Sequence, residues 1–141
     1  MLRYKLLHPE ILAALGSAGH GAQILIADGN YPFATRSNPR ARQVYLNLAP
    51  GVLGATDVLN VLVDAVPIEA AHVMVPDTGD EPPIFHEFRE LMPGMQLYIL
   101  RRFEFYEAAS APDVTLVIAT GEQRIYANLL LTIGVIPPEP S

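Results

Sequence analysis

The sequence predicts an α/β fold, namely a three-layer sandwich with a mixed, largely parallel sheet. Short apolar segments of strand length alternate with segments of helical length, and this alternation is typical of a sheet with helices on its faces. The predicted strands are apolar on both faces, as in parallel sheets that are covered on both sides. Half of the 141 residues are hydrophobic, and neither a linker nor an internal repeat is visible. We therefore expect a single domain over residues 1–141.

The first third of the chain predicts a helix, a strand and a long loop. The helix is expected over 9–18, because a proline suits its first turn and Gly19 is placed to end it with a positive φ. The apolar segment 22–27 predicts a buried strand that stops at Asp28. Residues 29–42 are rich in turn formers, and structureless loops of this length are usually functional. Three arginines lie in this loop: Arg36, Arg40 and Arg42.

The remaining chain continues the alternation of strands and helices. Thr56 is expected to cap a helix that stops before Pro67. Strands are predicted over 43–48, 71–75, 96–100, 114–120 and 128–133, and helices over 57–65, 84–91 and 103–109. The order of the strands within the sheet does not follow from these segments.

Composition and missing motifs exclude several classes of function. The net charge of −6 argues against a nucleic-acid partner, which would favour a basic surface. The absence of cysteine excludes thiolate zinc sites, and the spacing of the four histidines does not indicate a metal site. No phosphate-binding loop, dinucleotide-binding turn or nucleophile elbow is present, so we expect no cofactor. No stretch approaches the ~20 apolar residues that span a bilayer, and no signal peptide is recognisable, so we expect a cytoplasmic protein without a membrane partner.

Two residues near the first strand are candidates for proton transfer. His20 lies between two glycines that leave its ring accessible, and histidine gains and loses a proton near neutrality. Asp28 follows the strand, and open α/β sheets bind ligands outside the carboxyl ends of their strands. The structural alternatives are that His20 caps the preceding helix and that Asp28 organises the turn after it.

Polar side chains later in the chain are weaker candidates. Arg102 follows a predicted strand, where its guanidinium group could bind a ligand through two hydrogen bonds. Tyr106 follows it, although such a tyrosine is more often part of the core. Tyr126 and Asn128 lie between the last two strands, where a hydroxyl and an amide can bond vicinal hydroxyl groups. The alternatives for these residues are a solvated arginine and a hairpin-like turn. Together the residue types suit proton transfer on a neutral polyhydroxylated ligand.

Four segments taken together resemble one known family. They are HPEILAALGSAGHG, ILIADGNYP, RRFEFYEAA and ATGEQRIYANLLLTIGVI, and they are similar to the RbsD/FucU family, which contains the fucose mutarotase and the ribose pyranase. The resemblance implies that His20 is a catalytic proton-transfer residue and that Asp28 is a sugar-binding and catalytic residue. It implies further substrate contacts or neighbours at Arg102, Tyr106, Tyr126 and Asn128. The segment from Arg102 to Tyr106 favours the fucose branch.

The resemblance also implies an RbsD-like fold and an activity. The expected enzyme is an isomerase that interconverts the α and β anomers of L-fucose or a related sugar by acid–base ring opening, without a metal or cofactor. The family implies a homo-oligomer, a ring-shaped decamer with sites near subunit boundaries, which fits the high apolar content. The alternatives are a D-ribose pyranase and a sugar-binding module without catalysis.

The spacing of the two candidate catalytic residues raises a geometric question. A fully extended segment would hold His20 and Asp28 roughly 26 Å apart at ~3.3 Å per residue. One small sugar could not then contact both residues within one subunit. Either the chain bends near Gly21, or two subunits build the site.

Overall fold

The computed structural model describes residues 1–140. The helices in this range are α1 (Pro9–Ser17), α2 (Ala55–Ala65), α3 (Ile84–Leu91) and α4 (Arg102–Ala109). The strands are β1 (Gln23–Ala27), β2 (Arg42–Tyr45), β3 (Ile68–Val75), β4 (Leu97–Arg101), β5 (Val114–Ala119) and β6 (Leu129–Ile133). No helix in this range is long and apolar enough to cross a membrane. Every helix and strand predicted from the sequence is present. The predicted and observed elements differ by a few residues at their ends.

The strands form one mixed sheet in the order β2-β5-β1-β6-β3-β4. Strand β6 is antiparallel to its neighbours β1 and β3, whereas the other neighbouring pairs are parallel. The prediction of a mixed, largely parallel sheet is therefore confirmed. Strands β5 and β6 are not neighbours, because β1 lies between them, so the alternative of a hairpin-like turn is wrong. We call the edge where the parallel strands end and β6 begins the carboxyl edge, and the opposite edge the amino edge.

Different elements cover the two faces of the sheet. On one face, α1, α2 and α3 pack against alternate strand residues such as Ile24 and Ile26. On the other face, α4 and the loop over 28–41 pack against the intervening residues, such as Leu25 and Ala27. This division follows from the two-residue period of a strand. The sheet thus has a helical layer on each face, which confirms the three-layer sandwich.

Two local predictions are wrong. Gly19 does not take a positive φ; the left-handed residue is Gly21, at 87°, and it turns the chain into β1 after His20. Thr56 does not cap α2, because the helix begins at Ala55, two residues before the predicted start. Its N-cap is Gly54, whose backbone N–H donates to the Asp57 carboxylate at 2.8 Å. At Gly21 a left-handed turn takes the place predicted for Gly19, and at α2 the Asp57 side chain takes the place predicted for Thr56.

Candidate functional site

A polar cavity of about 350 Å³ opens at the carboxyl edge of the sheet. Its volume falls within the roughly 300–1,000 Å³ that small-molecule sites occupy. Five of the six residues singled out in the sequence line it: Asp28, Arg102, Tyr106, Tyr126 and Asn128. They come from the end of β1, the start of α4 and the chain just before β6, which the sheet order brings together at one edge. The sixth residue, His20, lies elsewhere.

Asp28 and Asn128 form a reciprocal pair at the base of the cavity. Because Ile26 of β1 lies opposite Leu129 of β6, continuing the antiparallel register puts Asp28 opposite Ala127, with Asn128 as its diagonal neighbour. The Asp28 backbone N–H donates to Asn128 Oδ1 at 2.7 Å, and Asn128 Nδ2 donates to Asp28 Oδ2 at 3.2 Å. Both side chains are buried. Each residue therefore fixes the orientation of the other.

The Asp28 carboxylate accepts three N–H groups in all. Besides the Asn128 amide, the backbone N–H of Asn30 donates to Oδ1 at 3.0 Å and that of Ala127 to Oδ2 at 3.1 Å. Burial raises the pKa of Asp28 above its usual value, and these hydrogen bonds offset part of the rise. A carboxylate with a raised pKa is a stronger base than an ordinary aspartate, which suits a proton acceptor.

The turn before β6 depends on an unusual backbone conformation at Tyr126. Its φ is 57°, in the left-handed region that few residues other than glycine adopt. The next residue, Ala127, is fully buried and directs its N–H to Asp28. The hydrogen bond to Asp28 therefore helps to hold Tyr126 in a conformation that places its side chain on the cavity.

Aromatic residues and a guanidinium group form the wall above the carboxylate. The rings of Tyr31 and Tyr106 meet edge to face, with centroids 5.4 Å apart. The Tyr31 hydroxyl donates to the Arg36 carbonyl at 2.6 Å, and burial raises the pKa of Tyr31, so this hydroxyl keeps its proton. The Arg102 guanidinium carbon lies 4.6 Å from the Phe103 ring centroid and 5.9 Å from that of Tyr106.

Sequence reasoning missed several residues of the cavity. Asn30, Tyr31 and Met74 line it as well. The first two belong to the turn DGNYP, in which a tyrosine stands among turn formers, and this pattern alone does not indicate a cavity. Met74 lies near the end of β3, and only the strand order shows that β3 reaches the cavity.

His20 lies at the amino edge, on the far side of the sheet from Asp28. It precedes β1, where Gly21 donates its N–H to the Ile133 carbonyl at 2.9 Å. His20 Nε2 is 3.1 Å from both carboxylate oxygens of Glu69, at the start of β3. The His20 and Glu69 side chains are 58% and 46% exposed. One chain therefore does not bring His20 to Asp28. Glu69 was not predicted, because it is 49 positions away from His20 and no motif links the two.

The two edges of the sheet offer different functional groups: an imidazole paired with a carboxylate at the amino edge, and a cavity with polar side chains at the carboxyl edge. A carboxylate accepts hydrogen bonds and does not donate them, so His20 Nε2 carries a proton when it bonds Glu69, and Nδ1 is the ring nitrogen left for another partner. The cavity at the other edge offers hydroxyl, amide, guanidinium and carboxylate groups to a polyhydroxylated ligand. Among residues 1–140, no cluster of His, Asp or Glu side chains is arranged to hold a metal ion.

Known proteins resemble the chain over almost its whole length. Residues 1–136 match the family described as the RbsD / FucU transport protein family. The fucose mutarotase of Danio rerio is 35% identical over 94% of this chain and 92% of its own, and the D-ribose pyranase of Geobacillus kaustophilus is 31% identical over 96% and 95%. The structure of the fucose mutarotase in complex with L-fucose from Streptococcus pneumoniae matches with a TM-score of 0.83 at 27% identity, covering 97% of this chain and 100% of that chain. This chain therefore belongs to the RbsD / FucU family.

Proposed function

We propose that this chain is a monosaccharide mutarotase, an isomerase that interconverts the α and β anomers of L-fucose or a related sugar. The observation that carries the proposal is the reciprocal pair of Asp28 and Asn128 at the base of a polar cavity large enough for one sugar. The similarity to fucose mutarotases over nearly the whole chain supports the same activity.

The cavity has the donors and acceptors that vicinal hydroxyl groups require. The Arg102 guanidinium group only donates, the ionised Asp28 carboxylate only accepts, and the Tyr126 hydroxyl does both. A hydroxyl group needs both kinds of partner, so this mixture orients a sugar more tightly than a single charge would. The ring of Tyr106 supplies the apolar surface on which the C–H groups of a sugar ring pack.

Anomer exchange needs proton transfer at two oxygens. A base removes the proton of the anomeric hydroxyl while an acid protonates the ring oxygen, so the bond from C1 to the ring oxygen breaks and the aldehyde forms. Rotation about the C1–C2 bond and reclosure give the other anomer. Acid–base catalysis by positioned groups contributes typically ~10²–10⁴-fold. We assign one proton transfer to His20 and the other to Asp28 or Tyr126.

His20 reaches the sugar in this proposal from a neighbouring copy of the chain. Its exposed ring at the amino edge of one copy would complete the cavity at the carboxyl edge of the next. Glu69 would hold Nε2–H and leave Nδ1 directed at the sugar. Such a contact joins two different surfaces, and head-to-tail contacts of this type form rings when the rotation between copies closes. We therefore propose a homo-oligomer, specifically the ring-shaped decamer that the family resemblance implies. We also propose a cytoplasmic location.

Saturation-transfer NMR of the two anomers of L-fucose tests the activity. The wild-type chain should speed the exchange, and His20→Ala should reduce the enzyme-dependent rate at least 100-fold, since a proton-transfer group contributes ~10²–10⁴-fold. His86→Ala is a matched control, because His86 is also exposed and paired with a glutamate, Glu90, at 3.0 Å. If the two variants exchange anomers at the same rate, His20 has no part in the chemistry.

A second candidate activity is the interconversion of pyranose and furanose forms of D-ribose. The observation that favours it is the 31% identity to a D-ribose pyranase over 96% of this chain. The same proton transfers serve both reactions, so NMR of both sugars under equal conditions separates them. A module that only binds sugar would shift the ligand resonances without accelerating either exchange.

A further inference from the structure

Two carboxylates are buried among residues 1–140, and both follow strands at the carboxyl edge of the sheet. One is Asp28, at the base of the cavity, and the other is Glu122, which is 6% exposed. Glu122 is not among the residues that line the cavity around Asp28. An ionised carboxylate is costly to bury unless other groups compensate its charge. The contacts of Glu122 therefore show what holds it beside the site.

Arg124 compensates the charge of Glu122 through a forked contact. Its Nε donates to Glu122 Oε2 at 3.1 Å, and its Nη2 donates to Oε1 at 2.8 Å. Its backbone N–H also donates to Oε2, at 3.2 Å. Burial by itself would raise the pKa of Glu122, but the hydrogen bonds and the charge of Arg124 bring it below the usual value. Both side chains are therefore ionised, and they form a strong, charge-assisted pair.

The pair of Glu122 and Arg124 joins parts of the chain that are far apart in sequence. Glu122 Oε1 accepts the backbone N–H of Ala55, at the start of α2, at 3.2 Å. The Glu122 carbonyl accepts the backbone N–H of Gly29, just after β1, at 2.9 Å. Arg124 Nη1 contacts the carboxylate of Glu87 on α3. The pair thus fixes the chain after β5 against the end of β1 and against two helices.

The connection that the pair fixes carries two residues of the cavity. Residues 120–128 join β5 to β6 past the end of β1, and they contain neither helix nor strand. The pair holds the first half of this connection, and Ala127 holds the second half through its N–H bond to Asp28. Tyr126 lies between these two anchors in its left-handed conformation. The place of its side chain on the cavity therefore depends on both anchors.

We propose that Glu122 and Arg124 are positioning residues of the mutarotase site, which hold the Tyr126 hydroxyl where it meets the sugar. This inference rests on the proposed function and adds to it two residues that do not contact the substrate. A small displacement of a substrate-binding group can slow a reaction strongly. Breaking the pair should therefore slow anomer exchange through Tyr126.

Saturation-transfer NMR of L-fucose with Arg124 variants tests this role. Arg124→Gln should reduce the enzyme-dependent exchange rate about tenfold or more. Arg124→Lys should lose less, because it keeps a positive charge beside Glu122 and loses only the fork. Arg89→Gln is the matched control and should exchange anomers at the wild-type rate. Arg89 is 46% exposed, close to the 45% of Arg124, and it pairs with Glu81, and neither residue lines the cavity.

A double-mutant cycle with Tyr126→Phe separates positioning from a general loss of stability. If Arg124 acts through the Tyr126 hydroxyl, Arg124→Gln should cost less than about threefold in a chain that already carries Tyr126→Phe. A general loss of stability would cost the same factor in both backgrounds. The inference is overturned if Arg124→Gln exchanges anomers as fast as Arg89→Gln, or if its effect is equally large without the hydroxyl.

Hydrogen exchange of the Ala127 amide gives a readout that needs no catalysis. Arg124→Gln should speed this exchange at least about threefold over the wild type and over Arg89→Gln, because the bond from Ala127 to Asp28 is then held less firmly. Equal amide exchange in the three proteins would also overturn the inference, and this result decides the matter if Tyr126→Phe is too slow for the cycle. If the amide responds but the wild-type chain does not accelerate anomer exchange, the failure lies with the mutarotase proposal and not with the pair.

Discussion

Asp28 is buried, yet its carboxylate is surrounded by N–H donors. Burial alone would favour the neutral acid, whereas the donors from Asn30, Ala127 and Asn128 favour the carboxylate. The net result is a pKa above the ordinary aspartate value of 3.8. If the ionised form accepts a proton from the sugar, activity is present above this raised pKa and is lost as the pH falls through it.

Asn128→Asp should shift this pH dependence. The substitution removes an N–H donor and places a second carboxylate about 3.2 Å from Asp28, and both changes favour protonation of the pair. The acid limb of kcat/KM against pH should therefore move upward by about one pH unit or more. Anomer exchange measured between pH 4 and pH 8, roughly the range in which a shifted carboxyl titrates, gives the profile.

Asn60→Asp is the control for this experiment, because it makes the same change at an exposed position of α2. Its acid limb should coincide with that of the wild type. An unchanged acid limb in Asn128→Asp would show that a group other than Asp28 controls the activity at low pH.

At the level of elements, the end of β5 depends on a close backbone approach at Gly121. A Cβ atom there would lie 2.5 Å from the Ala49 carbonyl oxygen and 2.6 Å from that of Val52. Both atoms are backbone, so neither can move aside as a flexible side chain would. Gly121→Ala should lower the free energy of unfolding by about 2–3 kcal/mol, the usual cost of overpacking.

Urea denaturation measures this effect against a matched glycine. Gly16 lies inside α1, and a Cβ atom there would contact nothing within 4 Å. Gly16→Ala should therefore stabilise the protein by roughly 0.5–1 kcal/mol, because alanine favours the helix. If both substitutions stabilise the chain, then the loop before α2 does not pack on β5 as the structure has it.

The elements themselves follow from local sequence, whereas their arrangement does not. Helix α3 has the predicted ends, since its apolar residues recur with helical period and Pro93-Gly94 follow it. Strand β6 was also predicted, but nothing local shows that it enters the sheet between β1 and β3. That position depends on long-range pairing, and it is what places Asn128 beside Asp28.

The residues of the candidate site also fall into those that local sequence predicts and those that depend on long-range contacts. Cavity residues that follow a strand or lie in a recognisable motif, such as Asp28 and Tyr126, could be found from the sequence. Tyr31 and Glu69 could not, because each acquires its role through a neighbour. The Tyr31 ring contacts Tyr106, and Glu69 meets His20 across 49 positions of sequence.

For the whole molecule, the decisive feature is that the residues proposed for proton transfer lie at two opposite edges of one sheet. The His20 and Glu69 pair lies at the amino edge, and the cavity with Asp28 lies at the carboxyl edge. If each working site takes its histidine from a neighbouring copy, then the two catalytic residues belong to different chains. Two inactive variants can in that case restore each other within a mixed assembly.

Mixed assemblies of His20→Ala and Asp28→Asn chains test this division directly. Each variant alone should be inactive, whereas an equal mixture, denatured and refolded together, should recover about a quarter of the wild-type exchange rate, because chance pairing joins an intact histidine edge to an intact cavity in that share of sites. A mixture of Asp28→Asn with Arg102→Gln should not recover beyond the activity of its components, since both substitutions damage the same cavity and every site keeps one of them. If neither mixture recovers exchange activity beyond that of its components, then His20 and Asp28 from different chains do not form one site. The proposed site would then need a different proton-transfer group.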